Sequence, residues 1–150
     1  MKTLALALLV GLFGFSFGAH AQSADEISQL VEQQASQNIN LLIAAGNDVK
    51  AGNDANACYS LGQAQTGTSF IALMLYQIAN QGVGNPALVQ NSFQAFATAA
   101  NSVQAGAGTY CKTNNPVDSD RELIITSINL AGKTLAALAP TMAWTDISLN

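Results

Sequence analysis

Acidic side chains form the densest chemical cluster in this sequence. Asp118, Asp120 and Glu122 alternate along one short segment, and the only arginine, Arg121, lies among them. Neighbouring carboxylates can act as general acid and general base when their environments separate their pKa values. Acidic residues are also favoured in the first turn of a helix, where they face the positive end of its dipole. An amphipathic pattern follows at once, so we interpret the cluster as a helix start.

Histidine chemistry is absent from the predicted mature chain. The single histidine, His20, lies within an N-terminal export signal. Without it, Ser–His and Cys–His catalysis and most zinc or copper sites are lost. The sequence also contains no Gly-x-Ser-x-Gly elbow, Walker loop or HExxH motif. We therefore predict that the protein is not an enzyme and uses no metal or cofactor.

The first 21 residues are typical of a cleaved secretion signal. Lys2 supplies the positive charge, residues 4–17 are apolar apart from small Gly and Ser breaks, and Ala19 and Ala21 fit the −3 and −1 positions of a cleavage site. The apolar stretch is short for a membrane span. We expect cleavage near Ala21 and export to the periplasm or the extracellular medium, with no membrane association afterwards.

Composition restricts the partners of the mature chain. Nine acidic residues face four basic ones, which gives a net charge of −5 after removal of the signal. This balance disfavours nucleic acid and anionic membrane surfaces as partners. Only 9% of all residues are charged, so Asn, Gln, Ser and Thr must supply the polar surface.

Four stretches of helical periodicity predict an all-α bundle over residues 22–139, followed by a tail at 140–150. The first helix opens at Ser23, with Glu26 completing a capping box, and ends near Gly46. The third opens at Asn85-Pro86, and its apolar face ends between Gly106 and Tyr110. The fourth opens with the capping-box spacing of Ser119 and Glu122 and ends before Pro140.

The second predicted helix spans about residues 55–80 and contains two glycines, Gly62 and Gly67. It either runs unbroken or breaks near Gly67, which would give five helices. Residues 70–76 are apolar in every direction, which predicts a place at the centre of the bundle. The segment Ala45–Asp48 is repeated at Ala51–Asp54, and both copies predict turns. We favour plain turns over a calcium loop because the spacing fits no EF-hand.

Cys58 and Cys111 are the only cysteines, and an even pair in an exported chain predicts a disulfide. In an up-down bundle, the start of the second helix and the end of the third lie at the same end. The bridge would close a loop of roughly 50 residues and stabilise the fold by about 4 kcal/mol. The predicted architecture is therefore an up-down four-helix bundle with one inter-helix disulfide.

The tail carries the predicted partner contacts, Trp144 and Met142, which either dock on the bundle or meet a partner. Our leading hypothesis is a non-enzymatic protein, similar in kind to small inhibitors, immunity proteins or effectors, that binds another protein. The alternative is a carrier of a small apolar ligand, held between helices by the aromatic residues Tyr59, Phe70, Tyr76, Phe93, Phe96 and Tyr110. Self-assembly through Ala- and Gln/Asn-rich faces is a third possibility. The sequence leaves the oligomeric state open.

Overall fold

A computed structural model describes residues 24–113 and 115–149, and every regular element within them is an α-helix. The elements are α1 (Ala24–Ala51), α2 (Asp54–Asn80), α3 (Pro86–Tyr110) and α4 (Asp118–Ala136). Each helix packs against the next, and α4 packs against α1. The predicted all-α up-down bundle of four helices is confirmed. None of the described helices has the length and hydropathy that a membrane span requires.

One core joins the four helices. Its largest fully buried side chains come from every helix. They include Ile27, Ile39, Leu42, Leu61, Ile71, Leu75, Phe96, Tyr110, Ile124, Ile128 and Leu135. Because α1 barely touches α3 and the closest contacts run around the ring, the bundle has α2 and α3 on one side and α1 and α4 on the other.

The predicted disulfide is present. Cys58 in the second turn of α2 is bonded to Cys111, which caps the C terminus of α3, and their Cα atoms are 5.6 Å apart. The bridge spans 53 positions of sequence. It therefore fixes α2 to α3 at one end of the bundle, as the up-down topology requires.

The first helix is longer than predicted, and the predicted stop at Gly46 is wrong. Gly46 is buried within α1, and the first of the two predicted turns, Ala45–Asp48, is helical. The helix continues because Ala45 and Val49 extend its buried face. It ends instead before Gly52, whose φ of 72° is one that side-chain-bearing residues rarely adopt. The predicted signal peptide at 1–21 and the cap at Ser23 lie outside the described residues.

The sequence predicted the N-terminal cap of α3 correctly but not that of α4. The predicted Asn85 cap is confirmed, since its Oδ1 accepts hydrogen bonds from the backbone N–H groups of Ala87 and Leu88 at 3.0 and 3.3 Å. The predicted Ser119 cap of α4 is wrong. The helix begins earlier, and the Asp120 carboxylate accepts a hydrogen bond from the backbone N–H of Val117 at 3.0 Å.

The second helix is continuous, so the five-helix alternative is wrong. Gly67 lies where α2 passes close to α1, and a Cβ added there would lie 2.7 Å from Oδ1 of Asn38. The Asn38 side chain is buried and donates a hydrogen bond to the Gln34 carbonyl at 2.8 Å. Gly67 therefore serves a close helix–helix contact and does not mark a break.

This contact predicts opposite effects for two glycines of the same helix. We expect Gly67→Ala to lower the free energy of unfolding by about 1–3 kcal/mol, because the buried Asn38 must move. Gly62→Ala is the matched control, since nothing lies within 4 Å of its added Cβ. It should raise stability by about 0.5–1 kcal/mol through helix propensity. Urea unfolding at low micromolar concentration measures both, and equal effects would contradict the close-contact interpretation.

Candidate interaction surface

The acidic cluster at 118–122 lies at the start of α4, where we predicted it. Asp120 caps the helix, and Asp118 is exposed and lies 3.7 Å from Nη1 of Arg121. Arg121 also forms an ion pair with Asp54 of α2, with 3.3 Å between Nη2 and Oδ2. The described contacts of Asp118 and Asp120 are therefore those of a helix terminus.

Asp54 connects three helices at the disulfide end of the bundle. Its carboxylate accepts a hydrogen bond from the hydroxyl of buried Tyr110, at the end of α3, and pairs with Arg121 of α4. Burial, reinforced by the nearby Asp54 carboxylate, raises the pKa of Tyr110 above its usual range. The sequence patterns did not reveal this network. Its signal was that Asp54 is the only charged residue of α2.

The C-terminal tail lies on the bundle without regular secondary structure beyond a turn at residues 140–141. Met142, Trp144, Ile147 and Leu149 are half-buried and pack against the core. Asn129 of α4 holds the tail backbone, because its side chain accepts from the N–H of Ile147 and donates to the Ile147 carbonyl, both at 2.9 Å. The tail therefore docks, and the role of Met142 and Trp144 as partner contacts stays a prediction.

Two glycines, one on each of the neighbouring helices α1 and α4, make room for the tail. A Cβ added at Gly132 of α4 would overlap the indole ring of Trp144, and one added at Gly46 of α1 would overlap the side chain of Ile147. Thr141 also donates a hydrogen bond to Glu32 of α1 at 3.0 Å. The tail thus covers the seam between α1 and α4.

The opposite side of the bundle has charged residues only at the margins of one long uncharged segment, at Asp54 and Lys112. No charged residue occurs from Ala55 to Cys111, so α3 is uncharged and α2 is uncharged after its first residue. The charged residues of the other half lie on α1, α4 and the tail: Asp25, Glu26, Glu32, Asp48, Lys50, Asp118, Asp120, Arg121, Glu122, Lys133 and Asp146. The sequence contains the signal for this separation, because the uncharged run from Ala55 to Cys111 can be read directly from it. The charged fraction of the whole chain does not reveal it.

Helix α2 presents large apolar side chains on this uncharged side. Residues 70–76 were predicted to lie wholly at the bundle centre, and this is wrong: Phe70, Leu73 and Tyr76 are exposed, whereas Ile71 and Leu75 are buried. A single helix in a four-helix ring has neighbours on only part of its circumference. An apolar run on all its faces therefore leaves one apolar face in solvent.

The aromatic residues considered for a ligand pocket do not share one environment. Phe96 and Tyr110 are in the core, whereas Tyr59, Phe70 and Tyr76 are on the surface. Phe93 of α3 is half-buried, and its ring centroid lies 5.9 Å from that of Tyr76. This ring contact joins the exposed apolar face of α2 to α3.

The outer face of α3 is polar and equally uncharged. One row of exposed residues runs along it at helical spacing. This α3 row consists of Ala87, Asn91, Gln94, Thr98, Asn101 and Ala105. Within residues 24–113 and 115–149, no three His, Cys, Asp or Glu side chains come together in a way that could hold a metal ion. The uncharged surface of α2 and α3 is therefore the candidate functional site.

Tail docking has a direct optical test, because Trp144 is the only tryptophan. We expect Gly132→Ala to displace the indole ring, shift its emission to longer wavelength and increase quenching by acrylamide. Gly108→Ala is the control, since nothing lies within 4 Å of its added Cβ. Unchanged emission in Gly132→Ala would contradict the docked position of Trp144.

The Tyr110 network predicts a loss of stability at high pH. Its raised pKa means that the folded state holds the phenol proton more tightly than the unfolded state, so this contribution is complete below a pH of about 10 and is lost as pH rises further. Tyr110→Phe should remove that loss and lower stability at neutral pH by about 1–3 kcal/mol. Tyr59→Phe, at an exposed position, should retain it. Urea unfolding between neutral and alkaline pH measures these differences, and identical profiles for all three proteins would contradict the network.

Comparison of the chain with known protein families, with curated proteins and with solved structures finds no match to it.

Proposed function

We propose that this chain is an exported, non-enzymatic protein that acts by binding another protein, in the manner of small inhibitors, immunity proteins or effectors. The observation that carries the proposal is the uncharged side of the bundle. Helices α2 and α3 present amide, hydroxyl and aromatic groups to solvent, and no formal charge after Asp54. The binding surface lies on this side.

Interface physics supports this choice of surface. The centres of protein–protein interfaces are depleted in Lys, Glu and Asp and enriched in aromatic residues, because buried charges lose their hydration. Charged groups on an ordinary surface also promote solubility. A broad surface that lacks them while the opposite side is charged therefore suits contact with a partner.

The scaffold supports binding in a second way. The Cys58–Cys111 bridge fixes α2 to α3, and Asp54, Tyr110 and Arg121 connect these helices to α4 at the same end. A surface whose geometry is fixed before binding loses less conformational entropy when it binds. The disulfide also supports export, since such bonds persist mainly in oxidising compartments.

The proposal can be tested by placing negative charges on the α3 row. Gln94 and Asn101 are both exposed, lie two turns apart and share one face. The variant Gln94→Glu/Asn101→Glu replaces two amides by carboxylates; the first change keeps the shape of the side chain and the second adds one methylene. The matched control is Gln33→Glu/Asn40→Glu, which makes the same changes at the same spacing on exposed positions of α1.

Each protein is immobilised in its disulfide-bonded mature form and exposed to the exported fraction of its source, followed by cross-linking and quantitative mass spectrometry. We expect a partner that the wild type and the α1 control capture equally and the α3 variant captures at least about tenfold less. Circular dichroism confirms that all three are folded. A partner held equally by both variants, or none above an unrelated bait, would contradict the proposal.

A further inference from the structure

Exposed residues on α2 form a continuous stripe. They are Tyr59, Gly62, Thr66, Phe70 and Leu73, and we call them the α2 stripe. Their spacing of three and four residues places them on one face of the helix. The three large members are 69%, 45% and 57% exposed. The stripe therefore combines large apolar side chains with two small positions between them.

The stripe is symmetric about Thr66. If two copies of α2 packed antiparallel with Thr66 on the two-fold axis, Tyr59 would oppose Leu73 of the second copy, and Phe70 would oppose Gly62. Each aromatic ring would then meet a smaller side chain, and no atom of another part of the chain lies within 4 Å of a Cβ added at Gly62. Thr66 also lies near the middle of α2, which runs from Asp54 to Asn80, so the pairing would use most of the helix.

Charge placement favours a second copy as the occupant. The mature chain has a net charge of −5, so two copies repel each other through the charged half formed by α1, α4 and the tail. If two copies meet through α2, the layer formed by α2 and α3 separates the charges of α1 and α4 from the interface in each copy. Packed helix axes are about 8–10 Å apart, which is close to the Debye length of about 8 Å at physiological salt. The repulsion between the charged halves is therefore largely screened.

We propose that the α2 stripe binds a second copy of this chain and forms an antiparallel, two-fold α2–α2 dimer centred on Thr66. A single helix pair buries less than the ~1,200 Å² of a standard interface, so the dimer is weak and depends on concentration. The α3 row remains accessible to a different partner. The dimer goes beyond the proposed function and does not depend on it.

The first test is the oligomeric state of the mature, disulfide-bonded protein, measured by sedimentation velocity from about 1 μM to about 1 mM. We expect the wild type to move from monomer to dimer across this range. Leu73→Glu should dimerise at least about tenfold less tightly. Leu130→Glu is the matched control, because Leu130 is 52% exposed on α4, outside the stripe. It should dimerise as the wild type does.

The second test locates the two-fold axis. A residue on the axis faces its own copy, so Thr66→Cys should form a symmetric intermolecular disulfide under mild oxidation. Thr98→Cys is the matched control, because Thr98 is an exposed threonine on the outer face of α3. We expect it to cross-link at least about tenfold more slowly. Peptide mass mapping confirms that the new bridge joins two copies of residue 66 and that Cys58–Cys111 is intact.

A wild type that stays monomeric at the highest concentration would overturn this proposal, and so would a dimer that Leu73→Glu does not weaken. Equal cross-linking of the two cysteine variants would also overturn it. A monomer whose captured partner is lost in Leu73→Glu would assign the stripe to a different protein. A monomer with capture through the α3 row would leave the proposed function standing, whereas a dimer without any captured partner would leave only the dimer.

Discussion

The contact between α2 and α3 is the constraint on which the rest of the structure depends. These helices form the most extensive helix–helix contact of the bundle, yet between them they have one charged residue, Asp54. Neither helix can gain stability from ion pairs between successive turns, which support many solvated helices. The stability of these helices must come from packing instead. The Cys58–Cys111 bridge adds to it, because it lowers the entropy of the unfolded chain and so stabilises the fold by about 4 kcal/mol.

Asp54, Tyr110 and Arg121 form a polar network at the end of the bundle that carries the disulfide. Asp54 starts α2 beside the bridge and takes the hydroxyl of Tyr110 and the guanidinium of Arg121 as partners. A partly buried carboxylate is expensive unless it is paired, so these contacts also select one arrangement of the helix ends. The disulfide and the Asp54 contacts therefore fix α2 and α3 at one end, and side-chain packing holds them together along the rest of their length.

Local signals predicted well, and signals that depend on distant contacts did not. Asn85-Pro86 marks a helix start by its own chemistry, and Cys58 and Cys111 predict their bond because they are the only two cysteines and the up-down topology brings them to one end. Gly46 looked like a helix end, but α1 continues through it because Ala45 and Val49 extend the buried face, and Ile147 of the distant tail packs over Gly46. Residues 70–76 are apolar on every face, so periodicity cannot say which of them face solvent. The candidate surface was missed for that reason.

Apolar side chains are covered by the tail on the α1–α4 side of the bundle, whereas several are exposed on α2. We infer from this difference that the α2 stripe has a role. On the charged side, the tail covers the seam between α1 and α4, with Gly132 shaped to receive Trp144. The exposed leucines of that side, Leu123 and Leu130, lie on a helix that also carries charged residues. On α2, Tyr59 and Leu73 are 69% and 57% exposed, and no charged residue lies among the exposed apolar side chains. Apolar groups in that arrangement gain most from burial against a similarly uncharged surface, and the face most like it is another copy of itself.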